Sequence, residues 1–435
     1  MRRVAIDLNH PALVILTAIA VLMVLGVASI GVTDTHYVSG HDGGRNAIKQ
    51  CIFAVVGVLG GMVVLRVGYQ EIGRLSYTFF VAAVVLLVPL LVAKVTRFDF
   101  GGLIAPRNGA YRWIHLPGYQ LQPSEIMKVA YLLALAWYLR YRRNYMRFSG
   151  LMTPIIVSAV PLMLILLEPD LGTALLLVPV LFALLFVAGA RLRHLAVFVL
   201  AGAVLAPLAW NKLEPYQRLR VTAVLLQSDE LRQKIIDQPA GYEKLATRRQ
   251  AMEWSASAGY QLVQSKNAIG SGGVSGYGWG EGLYVTSGLL PDRHNDFVFA
   301  VVAHQWGLVG CLVVLACYVA IAAAGLRIAS ETTEPFARLL AVGVVVMILS
   351  QAIINMGMAV GLMPVTGMTL PFVSYGGSSL LTNCVAVGLL LAVGQHRPYL
   401  LAVKPKELAL RPGEEAPGGA KERVSNVPVA RRAAV

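Results

Sequence analysis

Charge is scarce in this chain: Asp, Glu, Lys and Arg together make up 14% of its 435 residues, while 57% are hydrophobic. A soluble globule carries roughly a quarter charged residues, so an ordinary water-soluble domain is excluded and lipid is the solvent for most of the chain. Cysteine is nearly absent. Cys51, Cys311, Cys317 and Cys384 all lie inside apolar runs, with no CxxC and no His cluster at metal-ligand spacing, and read as small buried hydrophobes. No Walker pattern stands between a strand and a helix, which rules out a phosphate loop of that kind. No repeat of fixed period occurs, and the two halves do not match as those of an inverted-repeat transporter would.

Long apolar runs, by contrast, are abundant. Stretches able to cross about 30 Å of hydrocarbon at 1.5 Å per residue occur near residues 12–32, 50–67, 77–95, 124–140, 151–168, 171–189, 193–210, 297–326, 336–360 and 374–394. About ten spans make this an all-α integral membrane protein and place both termini on one side. The net charge of +14 falls in short Lys and Arg clusters between the runs, a pattern that lipid headgroups and membrane orientation explain and nucleic-acid binding does not. Those clusters also choose the side. Arg2 and Arg3, Arg66 and Arg74, Arg140-Tyr141-Arg142-Arg143 with Arg147, Arg191 and Arg193, Arg327 and Arg338, and Arg397 with Lys404 and Lys406 occupy alternate connections, which are therefore cytoplasmic. Met1-Arg2-Arg3 resembles the start of a signal peptide, but the run behind it reaches about 20 residues and reads as an uncleaved first span.

Alternation then sets the outer connections at about 33–49, 96–123, Glu168-Pro169-Asp170, 211–296 and 361–373. The longest, 211–296, is a large extracytoplasmic loop between the seventh and eighth spans, of a length that is usually functional or disordered. Its periodic apolar pieces, Tyr216 to Leu226 and Ala251 to Val263, suggest amphipathic helices on the outer surface of the membrane. Residues 1–403 form the membrane domain. Residues 404–435, rich in Pro, Gly, Glu, Lys and Ala, read as a disordered cytoplasmic tail.

Polar and ionisable residues gather at the outer helix ends in four places, and groups so costly to keep near bilayer depth are functional candidates. Arg112-Trp113 precedes Gln122-Pro123-Ser124-Glu125 and Lys128; Glu125 and Lys128 share a helical face, where they form either a structural ion pair or a contact for a substrate phosphate. In Glu168-Pro169-Asp170-Leu171-Gly172-Thr173, Asp170 can cap the next helix or stabilise its positive end. The third cluster runs from Gln264-Ser265-Lys266 and a glycine-rich stretch to Leu290-Pro291-Asp292-Arg293-His294-Asn295-Asp296-Phe297. Here Asn295 or Asp296 is an obvious N-cap, yet Asp296 could equally serve as a general base, with Arg293 holding an anionic substrate group. The fourth, Pro364 to Ser379, carries two prolines and three glycines. It reads as non-helical backbone around a cavity, or as small residues for helix packing.

In this order, the clusters resemble the SEDS family of shape, elongation, division and sporulation proteins, which includes RodA and FtsW. The matching strings are Gln122-Pro123-Ser124-Glu125 with Lys128, Pro169-Asp170-Leu171-Gly172-Thr173, Gly259-Tyr260-Gln261 with Gln264-Ser265-Lys266 and Gly270-Ser271-Gly272-Gly273, Leu290-Pro291 with His294-Asn295-Asp296-Phe297, and Leu370 to Ser379. Each is weak alone, and the ordered set is specific. The resemblance implies a ten-helix glycosyltransferase of the bacterial cytoplasmic membrane that polymerises lipid II into peptidoglycan beside a class B penicillin-binding transpeptidase. It makes Asp296 the catalytic residue, and no cofactor is implied beyond a divalent cation left open. Lys128, Arg112, Lys266 and Arg293, in declining order, are the candidates for the diphosphate, and Glu125, Asp170, Ser374 and Ser378 complete the substrate-binding set. Ser265-Lys266, Arg293 and Trp306-Gly307 lie closer to the elongation-type RodA branch than to FtsW. Family members commonly continue the Asp-Phe string with an acidic pair before the glycine, where this chain has His304-Gln305-Trp306-Gly307, so no role of those acids carries over.

Two other classes of function compete. A flippase for the lipid-linked precursor would need a polar path running on to the cytoplasmic half of the membrane, and the spans show little of one. A catalytically silent scaffold for a transpeptidase is encouraged only by His304-Gln305.

Overall fold

The structure is a computed structural model that describes residues 10–35, 45–97, 101–105, 111–141, 144–210, 215–242, 245–256 and 259–395. The tail expected from residue 404 lies outside the described residues, as do Arg2, Arg3, Arg142, Arg143, Arg397, Lys404 and Lys406. Helices follow the apolar runs. α1 (Pro11–Thr35), α2 (Asn46–Val67), α3 (Tyr69–Arg74) and α4 (Ser76–Thr96) lead to an antiparallel hairpin, β1 (Ile114–Leu116) and β2 (Tyr119–Leu121). α5 (Pro123–Leu139), α6 (Phe148–Leu167), α7 (Leu171–Val187) and α8 (Leu192–Trp210) come next. A series of short helices follows, α9 (Pro215–Leu225), α10 (Asp229–Asp237), α11 (Arg248–Met252), α12 (Tyr260–Ser271) and α13 (Leu283–Thr286), before the long α14 (Val298–Glu331), α15 (Pro335–Val360) and α16 (Gly377–Gln395).

Among the described residues, seven helices, α1, α2, α4, α6, α14, α15 and α16, are long and apolar enough to cross a membrane. The stretches expected at 124–140, 171–189 and 193–210 are helical too, as α5, α7 and α8. At 17 residues each, α5 and α7 sit at the lower end of the range of about 17–25 that spans a bilayer. Prolines lie inside α4 (Pro89), α6 (Pro154, Pro161), α7 (Pro179) and α8 (Pro207), as membrane helices tolerate.

Burial sorts the helices by position. α16 and α15 are 78% and 67% buried over their apolar windows and form the centre, whereas α2 is 11% buried and turns most of its surface outward. α2 nonetheless packs closely on α16 through glycine. A Cβ added at Gly388 would stand 2.5 Å from Gly61 O, and one at Gly61 would stand 2.8 Å from Cys384 O, the small-residue contact by which membrane helices approach. The four cysteines are unpaired with one another.

The structure adds to one expectation and corrects another. The connection at 96–123 contains the β-hairpin, which periodicity could not show in strands of three residues. The segment from Ala251 to Val263 is not one helix. It breaks at Trp254, whose indole Nε1 donates to Ala223 O at 2.9 Å and whose ring packs against Gly259. The short helices of 215–271 pack on one another around Leu226, Ile235, Ala246, Ala251, Trp254 and Leu262, a core of their own.

Candidate active site

At the end of the bundle that carries the 211–296 connection, residues 292–297 turn tightly into α14. Asn295 N and Phe297 N donate to Asp292 O at 3.0 and 3.4 Å, and Asp292 takes a left-handed φ of 46°. Two neighbours hold this turn. On α15, Asn355 Nδ2 donates to Asp296 O (2.9 Å) and to Met368 O (2.6 Å). From the segment before α16, Ser374 Oγ donates to Asn295 O (2.6 Å) and Tyr375 N to His294 O (2.9 Å). α14 begins at Val298 with Phe297 as N-cap and no side-chain capping bond, so neither Asn295 nor Asp296 fills the capping role. Asp296 instead lines a cavity of about 700 Å³.

Lys49 and Phe53 of α2 form one wall of this groove; Trp113, His115, Tyr119 and Gln120 of the hairpin form another, and Thr369, Tyr375, Ser378 and Ser379 the floor. Ser378 clamps the hairpin to α16: its Oγ donates to Gln120 O at 2.8 Å, accepts from Gln122 N at 3.1 Å and lies 3.0 Å from the Tyr119 hydroxyl. Ser374 is a positioning residue, accepting from Leu370 N at 2.7 Å while it holds Asn295.

The four cations expected at a diphosphate do not line the groove. Lys128 is buried one layer beneath it, 2.6 Å from Glu125 and donating to Gln351 Oε1 at 3.1 Å. Gln351 in turn donates to Thr369 Oγ1 and Ser379 Oγ at 3.1 and 3.3 Å, and Glu125 accepts from Thr382 at 3.1 Å. Of the two readings left open for Glu125 and Lys128, the structure shows the ion pair, coupled to the groove floor by hydrogen bonds. Arg293 is buried and donates to Val285 O and Thr33 O at 2.7 and 3.0 Å, tying the turn to α1. Arg112 donates to the carbonyls of Glu168 and Pro169. Lys266 is exposed on α12 and bonds Gln227 Oε1 at 3.2 Å. Backbone carbonyls and paired side chains satisfy these charges away from the cavity. Among the described residues, Lys49 is the lysine that lines it, and it went unnoticed in the short stretch with Arg45 at the head of an apolar run.

Asp170 caps α7. It accepts from Thr173 N and Oγ1 at 3.2 and 2.9 Å, from Ser124 Oγ at 2.8 Å and from Gln122 Nε2 at 3.0 Å. It thereby joins the starts of α5 and α7, and meets the groove only through Gln122. Among the described residues, no group of three His, Cys, Asp or Glu side chains gathers as a metal site.

The place of the missing acidic pair is explained by the glycine-rich stretch. α14 breaks at Gly307, whose φ of 60° and ψ of −154° belong to a region essentially open to glycine alone. Its interrupted backbone groups are taken up from outside the helix. Tyr277 N and Gly278 N donate to His304 O and Gln305 O (3.1 and 3.0 Å), and Leu308 N and Val309 N donate to Gly273 O and Val274 O (3.0 and 3.2 Å). Gln305 then uses both ends of its amide, accepting from Gly280 N at 2.7 Å and donating to Glu281 O at 2.8 Å. His304 Nδ1 lies 2.9 Å from Ser271 Oγ, and its ring packs against Tyr277 and Tyr284. Neutral side chains thus hold the segment in this chain.

A bundle of apolar helices with a polar groove at one end, one wall supplied by an outward-facing helix and a carboxylate at its edge, defines an all-α integral membrane protein with an enzyme-like site. A family model described as "Cell cycle protein", that of FtsW, RodA and SpoVE, matches residues 9–399, and the chain belongs to that family. It is 33% identical over 387 residues to the probable peptidoglycan glycosyltransferase FtsW of Trichlorobacter lovleyi, covering 86% of this chain and 92% of that one. It is 34% identical over 342 residues to the peptidoglycan glycosyltransferase MrdB of Escherichia coli K12, covering 78% and 84%. Among solved structures, it resembles a chain from work on how a peptidoglycan synthase complex coordinates polymerization and crosslinking, with a TM-score of 0.68, 29% identity and coverage of 88% and 98%. It also resembles the rod shape determining protein RodA of Thermus thermophilus, with a TM-score of 0.61, 26% identity and coverage of 92% and 99%.

Proposed function

We propose that this peptidoglycan glycosyltransferase polymerises lipid II, a polyprenyl diphosphate-linked disaccharide peptide, with Asp296 as general base. The observation that carries the reading is the position of Asp296: half-buried, just before the N-cap of α14, and on a groove one wall of which is the outward-facing α2. A lipid-linked sugar can enter such a groove with its chain still in hydrocarbon. Asp296 takes the proton of the acceptor sugar hydroxyl as that oxygen bonds to the donor's anomeric carbon. The bond from that carbon to the diphosphate breaks, and the polyprenyl diphosphate leaves with the electron pair. A base at the hydroxyl and a cation at the departing charge are what the displacement needs, and Lys49 is the cation we assign to it.

The positive-inside pattern supports ten crossings of the bacterial cytoplasmic membrane, with cytoplasmic termini and the groove on the outer face. A class B penicillin-binding transpeptidase is the proposed partner, in keeping with the synthase complex to which the chain is similar. The elongation-type branch remains the one favoured by Ser265-Lys266, Arg293 and Trp306-Gly307. The transporter reading gains nothing from the interior: beyond Lys128, α5 buries Val129 to Ala136, of which only Tyr131 is polar.

The test is reconstitution of the full chain with its partner on lipid II. Wild type should make glycan polymer, and Asp296→Ala should lose about 10²–10⁴-fold in rate while keeping its thermal midpoint. Lys49→Ala should lower kcat as well. Polymer formation by Asp296→Ala at the wild-type rate would remove Asp296 from the reaction.

A further inference from the structure

We infer that a second cavity, next to Asp296, receives the peptide arm of the substrate and binds its carboxylate through Arg220; this rests on the lipid II reading above. The cavity measures about 380 Å³, is open on one side, and is lined by residues of α9, α11 and α12 with Glu253 and Val365. That volume lies in the range of about 300–1,000 Å³ that accommodates a ligand-sized group. Arg220, Arg249, Gln250, Gln261 and the carboxylate of Glu253, which Arg249 pairs, give it a polar wall, and Leu219, Ala223 and Val365 an apolar one. Arg249 is exposed and bonded to Glu253 at 3.1 Å, so the half-buried Arg220 is the guanidinium more withdrawn from solvent.

Among the described residues, the two cavities have no lining residue in common, but residues of one touch residues of the other. Gln261 Nε2, on the second cavity, donates to Asp292 Oδ2, on the groove, at 3.1 Å. Gly367 stands where Arg220 and Asp296 converge: a Cβ built on it would lie 3.3 Å from Arg220 Nη1 and 3.6 Å from Asp296 Oδ2. With φ at 75° and no side chain, Gly367 lets the guanidinium and the carboxylate approach the same point of the backbone. A sugar held at Asp296 can therefore extend a substituent to Arg220.

Which anionic group of the substrate arrives there follows from how each is attached. The diphosphate is bonded to a polyprenyl chain that stays in hydrocarbon, and the wall of the groove turned most to the outside is α2, with Lys49 at its head. α9, α11 and α12 have 11, 5 and 12 residues, too short to cross a bilayer, and pack on a core of their own. An anion beside Arg220 is one that the lipid does not tether. On a disaccharide peptide that is a peptide carboxylate, which a guanidinium matches with two parallel N–H···O bonds.

The experiment compares polymerisation of lipid II with that of the same lipid-linked disaccharide stripped of its peptide, using the full chain with its partner. Wild type is expected to prefer lipid II by about tenfold or more in kcat/KM, the scale of a charged hydrogen bond. Arg220→Gln is expected to lose most of that preference, with a deficit on lipid II much larger than on the peptide-free substrate. Equal kcat/KM of wild type on the two substrates overturns the assignment without any variant. An equal fractional loss by Arg220→Gln on both, accompanied by a shifted pH profile, overturns it in favour of a role at Asp296. Inactivity of wild type on both sinks the lipid II reading and this inference together.

Discussion

Glu168 lies in the turn between α6 and α7, buried, with Oε1 lacking a hydrogen-bond partner among the described residues. Burial and then the nearby Asp170 push it up to about 9, against the opposing pull of Arg112. Burial acts to raise Asp170 as well, yet Arg112, Ser124 and Thr173 together hold that carboxyl below its ordinary value. Two acids so close divide the work, one charged and one carrying the proton. Because the folded protein binds the Glu168 proton more tightly than the unfolded chain, this residue's contribution to stability is complete below its ordinary value of 4.5 and is lost as pH rises toward about 9. The thermal midpoint in detergent should therefore fall across that window, and Glu168→Gln should flatten the decline; an unchanged slope in the variant would assign the loss to other groups. The same neighbourhood shows what was legible at this scale. From its string alone Asp296 reads equally well as a helix cap or as a base, and the resemblance makes it the catalytic candidate. Lys128, Arg112 and Arg293 could be recognised as buried charges but not as satisfied ones: a sequence reveals that burying a cation is costly, not whether a paired acid, a carbonyl or a ligand offsets the cost.

At the scale of elements, the break in α14 gives the most exposed test. Gln305 is fully buried and spans Gly280 N and Glu281 O with the two ends of one amide. Gln305→Leu leaves both backbone groups without it, at about 1–3 kcal/mol for each group stranded. The variant should lower the thermal midpoint and open residues 272–282 to protease, while Gln305→Glu, which keeps the acceptor for Gly280, should lose less. Equal resistance of Gln305→Leu and wild type to protease would mean that the segment is held by its backbone bonds alone. Apolar helices were legible from the sequence because each repeats one signal over twenty residues. The hairpin was not, since Ile114–Leu116 and Tyr119–Leu121 offer three residues each and owe their place to Ser378, more than 250 positions downstream. The shift of the α14 N-cap to Phe297 was hidden for a related reason, because Ser374 and Asn355 hold the preceding turn from remote parts of the chain.

For the whole molecule, the glycine contact between α2 and α16 joins the outward-facing rim to the buried centre. Gly388→Ala must push a methyl against the Gly61 carbonyl, at about 1–3 kcal/mol by the usual cost of overpacking. The resulting shift moves the helix that bears Lys49 and Phe53, so glycan synthesis should drop along with the thermal midpoint. Loss of stability with an unaltered rate would show that the groove tolerates a wider α2. The inserted glycine stretch bears on how the molecule is made. Residues 272–282 emerge from the ribosome before Val298 to Glu331, yet their amide and carbonyl partners lie about 9–16 Å along that later helix by its rise per residue. Those backbone groups are paired across the break, so the stretch takes up this conformation only once α14 has formed, with an upstream strip of chain closing onto a downstream one.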